Sequence, residues 1–381
     1  MELTGLDHTA FLRDYWQKKP LLIRNPWSAW QNPMTPEELA GLACEDTIES
    51  RLIIGGEHVP RVEHGPIVSD RYDTLEKRNW TLLVQAVDHH VPEVAALIEP
   101  FRFVPDWRID DVMVSFAADG GGVGAHFDQY DVFLIQGAGK RRWQVGGMCG
   151  GASKLLPHGD LRLLADFTPT QEWVLEPGDM LYVPPGIAHN GIAEGEDCMT
   201  YSVGFRAPSR GDLIGGWMDD LLGEMVEDDR YSDQDLVPQG NPGEIAPEAI
   251  EQLHAMVTER LSDRSAFANW FGRYSSTAKY PEVDWQLETP ITETEFAAEF
   301  VAGITLLRNP ASRFAFIEQD SGKVQLFVQG EFYTCDGEVA EFARLLCSAS
   351  TISPTFNMIA SAAVSELTLQ LIKAGSLAIE A

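Results

Sequence analysis

His126-Phe127-Asp128-Gln129-Tyr130-Asp131-Val132-Phe133 and, farther along, Pro184-Pro185-Gly186-Ile187-Ala188-His189 are the stretches that decide how this chain folds. Residues two apart on a strand point the same way, so a strand through the first stretch places His126 and Asp128 on one face. A distant strand entered through the stiff Pro-Pro-Gly corner brings His189 to them. Two imidazoles and one carboxylate on one side of a metal form the facial set of non-haem Fe(II) centres. That set leaves three positions open, enough for a bidentate co-substrate and dioxygen. An isolated His-x-Asp also fits an ordinary buried pair on a strand, so the surrounding sequence has to decide.

Gly120-Gly121-Gly122-Val123-Gly124 precedes the pair and lets backbone pass close to a bound group. Tyr130 to Gln136 reads as a buried strand around Val132, Phe133, Leu134 and Ile135. In the next segment, Arg141, Trp143 and Val145 share one face, and Lys140, Arg142 and Gln144 share the other. Trp143 and Val145 belong in the core, so Arg141 points inward with them. A buried cation needs an anion. Two readings stand: a structural carboxylate of the chain, or the distal carboxylate of 2-oxoglutarate held by two hydrogen bonds. Leu175-Glu176-Pro177-Gly178-Asp179 makes a tight turn, Met180 to Val183 a short strand, and Met199 to Phe205 a closing strand.

Further candidates follow from phase. Ser115 is in register with Met113 and Asp111 and is read as a hydrogen-bond donor to the co-substrate; Ser202 on the closing strand is a second polar candidate. Asp111 is the carboxylate most suited to a cationic substrate side chain, against a bland reading as a strand-edge acid. Tyr130 follows His126 and Asp128 in phase and lines a channel or fills core. His158 reads as a solvated loop residue, and His89 and His90 as surface or cap residues. His8, His58, His64 and His254 have no sequence neighbours that suggest ligation.

These features resemble the JmjC branch of the cupin oxygenases. Asp14-Tyr15-Trp16-Gln17-Lys18-Lys19-Pro20, Trp80-Thr81-Leu82-Leu83-Val84-Gln85, Asp106-Trp107-Arg108-Ile109-Asp110-Asp111 and Tyr201-Ser202-Val203-Gly204-Phe205-Arg206 extend the likeness to the bacterial ribosomal oxygenases. The resemblance implies Fe(II) held by His126, Asp128 and His189, and 2-oxoglutarate held by Arg141. It implies dioxygen as oxidant and an arginine of large-subunit ribosomal protein sixteen as the site of hydroxylation. Histidine hydroxylation or lysine demethylation by the same chemistry, a cupin centre that dispenses with 2-oxoglutarate, and a non-catalytic ribosome-assembly role are the alternatives. An inward Arg141 and three intact ligands argue against the last two.

The expected architecture is α+β. A double-stranded β-helix (jelly-roll, cupin) forms the catalytic core within residues 1–208, its strands in 101–208. Residues 209–275 supply a helical region, and 276–381 a winged-helix-like unit. Thr35-Pro36-Glu37-Glu38 is a helix start with cap, proline and returning glutamate. Trp80 to Leu97 carries helical spacing interrupted at Pro92. Leu213, Ile214, Trp217, Met218, Leu221, Leu222 and Met225, then Ile250, Leu253, Met256, Val257 and Leu261, mark two amphipathic helices. The resemblance makes that pair a homodimer interface; packing on the chain's own catalytic domain is the other reading. Glu227 to Pro247 reads as a loop.

The chain has 381 residues, with 58 acidic against 28 basic side chains and a formal net charge of −30. Such a surface repels nucleic-acid phosphates and speeds encounter with basic proteins; solubility, or adaptation to a saline or cold environment, is the bland alternative. Few Lys and Arg in 276–381 argue against DNA binding there. Five cysteines, an odd number without metal or CxxC spacing, read as reduced thiols. No stretch approaches a membrane span, and Met1-Glu2-Leu3-Thr4-Gly5-Leu6-Asp7 lacks a signal peptide's basic and apolar regions. A cytoplasmic location is the expectation.

Overall fold

The computed structural model describes residues 2–55, 59–225, 230–287, 289, 291–302 and 304–380, without the side chains of Glu299, Val301, Ala302 and Ser321. His58, Met1 and the start of the loop expected at 227–247 lie outside the described residues. The chain divides into two compact units, the first comprising Met1–Ala207 with two short later segments, the second most of the remainder.

The first unit is built on β1 (Leu21–Ile23), β2 (Ser50–Ile54), β3 (Arg61–His64), β4 (Trp80–Val84), β5 (Ile109–Ala117), β6 (Asp131–Met148), β7 (Gln171–Leu175), β8 (Met180–Val183) and β9 (Ile187–Phe205). They form one antiparallel sheet in the order β1-β8-β6-β9-β5-β4-β2-β3, with β7 also on β6. Helices α1 (His8–Asp14), α2 (Pro36–Leu42) and α3 (Pro92–Ala95) cover it. The capping box of α2 is present, Glu38 N–H donating to Thr35 and Thr35 N–H to Glu38.

The sheet curls because its two longest strands bend together. The β6–β9 register shifts between Gln136, Ala138 and Lys140. Gly139, Gly195 and Asp197 take positive φ of 58, 78 and 58° there. Such bulges increase twist and re-aim a strand, and here they close the sheet into a jelly roll. Segments expected as separate strands are thus single bent ones: Tyr130–Gln136 with Lys140–Val145 in β6, and the His189 strand with Met199–Phe205 in β9.

Alternation assigns the faces. Phe133, Ile135, Val112, Val114, Met199, Tyr201, Val203 and Phe205 pack outward, with Phe11, Phe101 and Tyr182, in the main core under the helices. Asp111, Met113, Ser115, Cys198, Thr200, Ser202, Gln136, Arg141 and Trp143 therefore face the barrel interior.

Two expectations fail. Trp80–Val84 is strand β4, not helix, because its aromatic and β-branched run pairs with β2 and β5 on both sides. His89 is buried within the short 3-10 turn rather than a surface or cap residue, whereas His90, half-buried, is the C-cap of that turn as one of the two readings had it.

The second unit contains α4 (Arg210–Glu224), α5 (Pro247–Leu261), α6 (Arg264–Ser276), α7 (Glu293–Ala302), β10 (Leu306–Arg308), β11 (Phe314–Glu318), β12 (Val324–Val328), β13 (Glu331–Cys335), α8 (Gly337–Ser348), β14 (Thr351–Ile352), α9 (Phe356–Ala360), α10 (Ala362–Lys373) and β15 (Leu377–Ile379). Two three-stranded sheets, β14-β10-β15 and β11-β12-β13, pack on these helices. Helix α6 was not anticipated; Asp263 caps it, and Trp270, Gly272, Ser275 and Ser276 are buried on it. On α4 and α5, Ile214, Met218, Leu222, Ile250, Leu253 and Val257 remain exposed.

Candidate active site

His126 and His189 meet through backbone pairing. β6 begins only at Asp131, so His126 and Asp128 lie just before the strand rather than within it. His126 instead forms an isolated antiparallel bridge with His189. Its N–H donates to the His189 carbonyl at 3.0 Å, and the His189 N–H donates back at 2.8 Å. Residues opposed in such a pair project to the same side, and the two rings lie 4.4 Å apart. The Gly186 N–H, at the Pro-Pro-Gly corner, donates to the Asp128 carbonyl at 2.7 Å and so ties Asp128 to the start of β9. Gly122 is required for close passage: a Cβ there would lie 2.2 Å from the Gly191 carbonyl oxygen.

His126, Asp128 and His189 each present a ligating atom within 4.8 Å of the others, and they are the only such group of three or more among the described residues. The Asp128 carboxylate is 3.5 Å from His189 Nε2. Both rings are oriented by backbone. His126 Nδ1 lies 2.8 Å from the Gly124 carbonyl and His189 Nδ1 3.0 Å from the Ile187 carbonyl. A carbonyl only accepts, so each Nδ1 carries the hydrogen and each Nε2 lone pair is left for a ligand. Burial, then the neighbouring His126, pushes the His189 pKa down to about 4, which keeps the ring neutral and ligating at neutral pH.

Arg141 lies inside the barrel, 4% exposed, with no carboxylate partner among the described residues. Its Nε donates to Cys198 Sγ at 3.4 Å. Its Nη2 is buried with no hydrogen-bond partner among them. A donor left this way costs free energy until something fills the site. Val145 stands opposite His189 in the β6–β9 ladder, and Arg141 is four residues away on the same face, about 13 Å at strand rise. Trp143 lies between them, 5.9 Å from the His189 ring and 5.7 Å from the Arg141 guanidinium. Lys140 and Arg142 point outward to Glu176 and Glu194.

The other candidates fall as follows. Ser115 is buried on the interior face opposite Thr200, and Ser202 is buried there opposite Met113. Asp111 is buried rather than a strand-edge acid. Its Oδ2 accepts from Gln85 Nε2 at 2.6 Å and from the Ala86 N–H at 3.0 Å, which holds Ala86 at its positive φ of 50°. Tyr130 is 44% exposed. Its hydroxyl end is nevertheless sunk, with Asp128, Asp111 and Asp110 near; burial first, and then these charges, raise its pKa far above the ordinary value. His158 is not a solvated loop residue: its side chain is 10% exposed, and its ring contacts the Pro60 carbonyl and the N–H groups of Asp160 and Leu161. Gln136, Cys198 and Thr200 were missed. Their signal was the alternation of Cys198, Thr200 and Ser202 with apolar Met199, Tyr201 and Val203.

Residues 96–213 match the JmjC domain model, and residues 259–378 the ROXA-like winged helix. The chain is 42% identical over 315 residues to ribosomal protein uL16 3-hydroxylase of Escherichia coli, covering 83% of each chain. The chain belongs to the JmjC-domain ribosomal oxygenases. A probable ribosomal oxygenase of Haemophilus influenzae is 36% identical over 275 residues, 70% of this chain and 67% of that one. The solved structure of the E. coli ribosomal oxygenase YcfD with cobalt and 2-oxoglutarate superposes with a TM-score of 0.87 at 36% identity, over 100% of this oxygenase and 99% of that chain.

Proposed function

We propose that this oxygenase hydroxylates an arginyl side chain of ribosomal protein uL16, using Fe(II), 2-oxoglutarate and dioxygen. The observation that carries the reading is the buried Arg141 with a free Nη2, in the same barrel as two imidazoles and a carboxylate. The donor set fits Fe(II), and the orphaned guanidinium nitrogen fits a distal carboxylate. His126, Asp128 and His189 are the metal ligands in this reading, Arg141 the carboxylate clamp, and Ser115 a further donor to the co-substrate. Bound Fe(II) would supply the oxidising chemistry with dioxygen as oxidant, one oxygen atom replacing a C–H bond with C–OH and the other passing to 2-oxoglutarate, which leaves as succinate and carbon dioxide.

The chain's own residues hold and orient. The Gly124 and Ile187 carbonyls fix which nitrogen each histidine presents. Tyr130, protonated across the working pH range, stands beside Asp128. Asp111, Asp110, Tyr130 and Ser202 form the substrate side of the site, where carboxylates favour a cationic side chain. A net charge of −30 assists approach of a basic protein and disfavours direct contact with RNA. Among the described residues no helix is long and apolar enough to cross a membrane. The proposed setting is the cytoplasm, with homodimerisation through the exposed apolar faces of α4 and α5.

Mass spectrometry of uL16 incubated with enzyme, Fe(II), 2-oxoglutarate and air tests this. One added oxygen on an arginine, absent without 2-oxoglutarate, is expected. Succinate formed without any oxygen gained by uL16 would overturn the substrate, and no succinate under any condition would overturn the chemistry.

A further inference from the structure

We infer that Cys198, fixed by Gln136 and Thr200, is the positioning residue that sets the affinity of the Arg141 clamp for dicarboxylates. The inference rests on the reading of Arg141 as that clamp. Cys198 is fully buried at the barrel floor beside Ala117 and Ala193. Its Sγ accepts from Arg141 Nε at 3.4 Å and from Gln136 Nε2 at 3.5 Å. Gln136 is itself held: its Nε2 also donates to the Ala138 carbonyl at 2.7 Å, and its Oε1 accepts from Thr200 Oγ1 at 3.3 Å. A chain of side chains thus runs Thr200, Gln136, Cys198, Arg141, and ends at the unpartnered Nη2.

The chemistry of the acceptor matters. Residues that hold a buried arginine are ordinarily carboxylates, since a buried charge needs a counter-charge. A carboxylate here would neutralise Arg141 and compete with the ligand. A thiol is only a weak acceptor. It restrains one edge of the guanidinium, while the Trp143 face limits the planar group's other motions. The charge and the second edge stay available to an incoming carboxylate. Cys198 therefore aims the clamp without satisfying it, and lowers the entropy lost when the co-substrate is gripped.

The test is calorimetric binding to the full-length protein loaded with Mn(II) under anaerobic conditions, for Cys198→Ala, Cys198→Ser and Gln136→Leu. The probes are 2-oxoglutarate and oxalate, a chelator that lacks a distal carboxylate. Cys198→Ala is expected to weaken 2-oxoglutarate by about five- to tenfold, the scale of one weak hydrogen bond to a charged group. Oxalate and Mn(II) affinities stay within about twofold, and Cys198→Ser restores 2-oxoglutarate binding. In turnover, KM for 2-oxoglutarate rises while kcat holds. Gln136→Leu shifts affinity in the same direction and covers the case in which the alanine variant does not fold. Unchanged 2-oxoglutarate affinity in Cys198→Ala would refute the inference, as would equal weakening of 2-oxoglutarate and oxalate. An Arg141→Met control with unchanged 2-oxoglutarate affinity would instead remove the clamp reading on which the inference stands.

Discussion

Arg141→Met separates a residue kept for a ligand from one kept for the fold, because the two effects have opposite signs. Arg141 is 4% exposed, its Nη2 has no partner among the described residues, and no carboxylate there pairs with it. In the ligand-free protein the cation's desolvation is offset only by the Cys198 contact and the Trp143 ring. Methionine fills a similar volume without charge. Loss of one weak hydrogen bond costs about 1 kcal/mol, and removing an uncompensated buried charge returns more than that. A net gain of about 1–2 kcal/mol is expected, or roughly 2–8 °C in the Tm of the ligand-free protein for a unit of this size. With co-substrate the sign reverses. A distal carboxylate left buried without its partner loses about 3–5 kcal/mol, on the order of 10²- to 10⁴-fold in Kd. Differential scanning calorimetry without ligand and titration calorimetry with 2-oxoglutarate read the two effects. A variant that melts several degrees lower, or that binds 2-oxoglutarate within about threefold of the parent, would refute the reasoning.

Three further outcomes are expected. Asp128→Ala abolishes turnover and weakens Mn(II) binding, yet leaves the far-ultraviolet circular dichroism and melting nearly unchanged, since only the carboxylate is removed and its backbone bond to Gly186 remains; full activity would sink the ligand assignment. Burial lowers the pKa of His90 below its ordinary value, so the folded state binds fewer protons than the unfolded one and stability falls as pH drops below about 6.5. His90→Asn is expected to flatten the dependence of Tm on pH in that range, and an unaltered slope would count against a half-buried His90 with a lowered pKa. Leu253→Glu with Met218→Glu is expected to convert the proposed dimer to monomer in light scattering, because both residues lie on exposed apolar faces of α5 and α4, 42% exposed each; a parent protein that is already monomeric contradicts that proposal.

Local chemistry was the most legible part of the sequence. The Thr35 capping box, the inward phase of Arg141, Trp143 and Val145, and the His-x-Asp with its Pro-Pro-Gly corner each depend on residues a few positions apart. Short apolar runs were ambiguous: Leu82-Leu83-Val84 satisfies helical and strand periodicity equally, and only the flanking β2 and β5 decide for strand. Bends were hidden because their cause lies across the ladder. Gly139 needs its lack of Cβ because the Glu196 and Asp197 carbonyl oxygens would lie 2.7 Å away, on the partner strand. For the same reason Cys198 read as one of five unremarked thiols, since its contacts with Gln136 and Arg141 are tertiary.

The ligand set follows from pairing more than from motif. His126 sits outside β6, so strand alternation alone does not aim it. Two reciprocal hydrogen bonds with His189 do, and they also tie the segment before β6 to the start of β9. Each ring is then turned by a carbonyl two residues upstream, Gly124 for one and Ile187 for the other. The second turn is made on a strand and the first in a glycine segment where Gly124 has a φ of 103°. A side chain at position 124 would strain that backbone and press on Leu163 at 3.1 Å. The carbonyl that orients His126 would move with it. Metal affinity and closure of this end of the barrel therefore depend on the same few backbone contacts, and a substitution at Gly124 should disturb both together, whereas one at Asp128 should disturb only the metal.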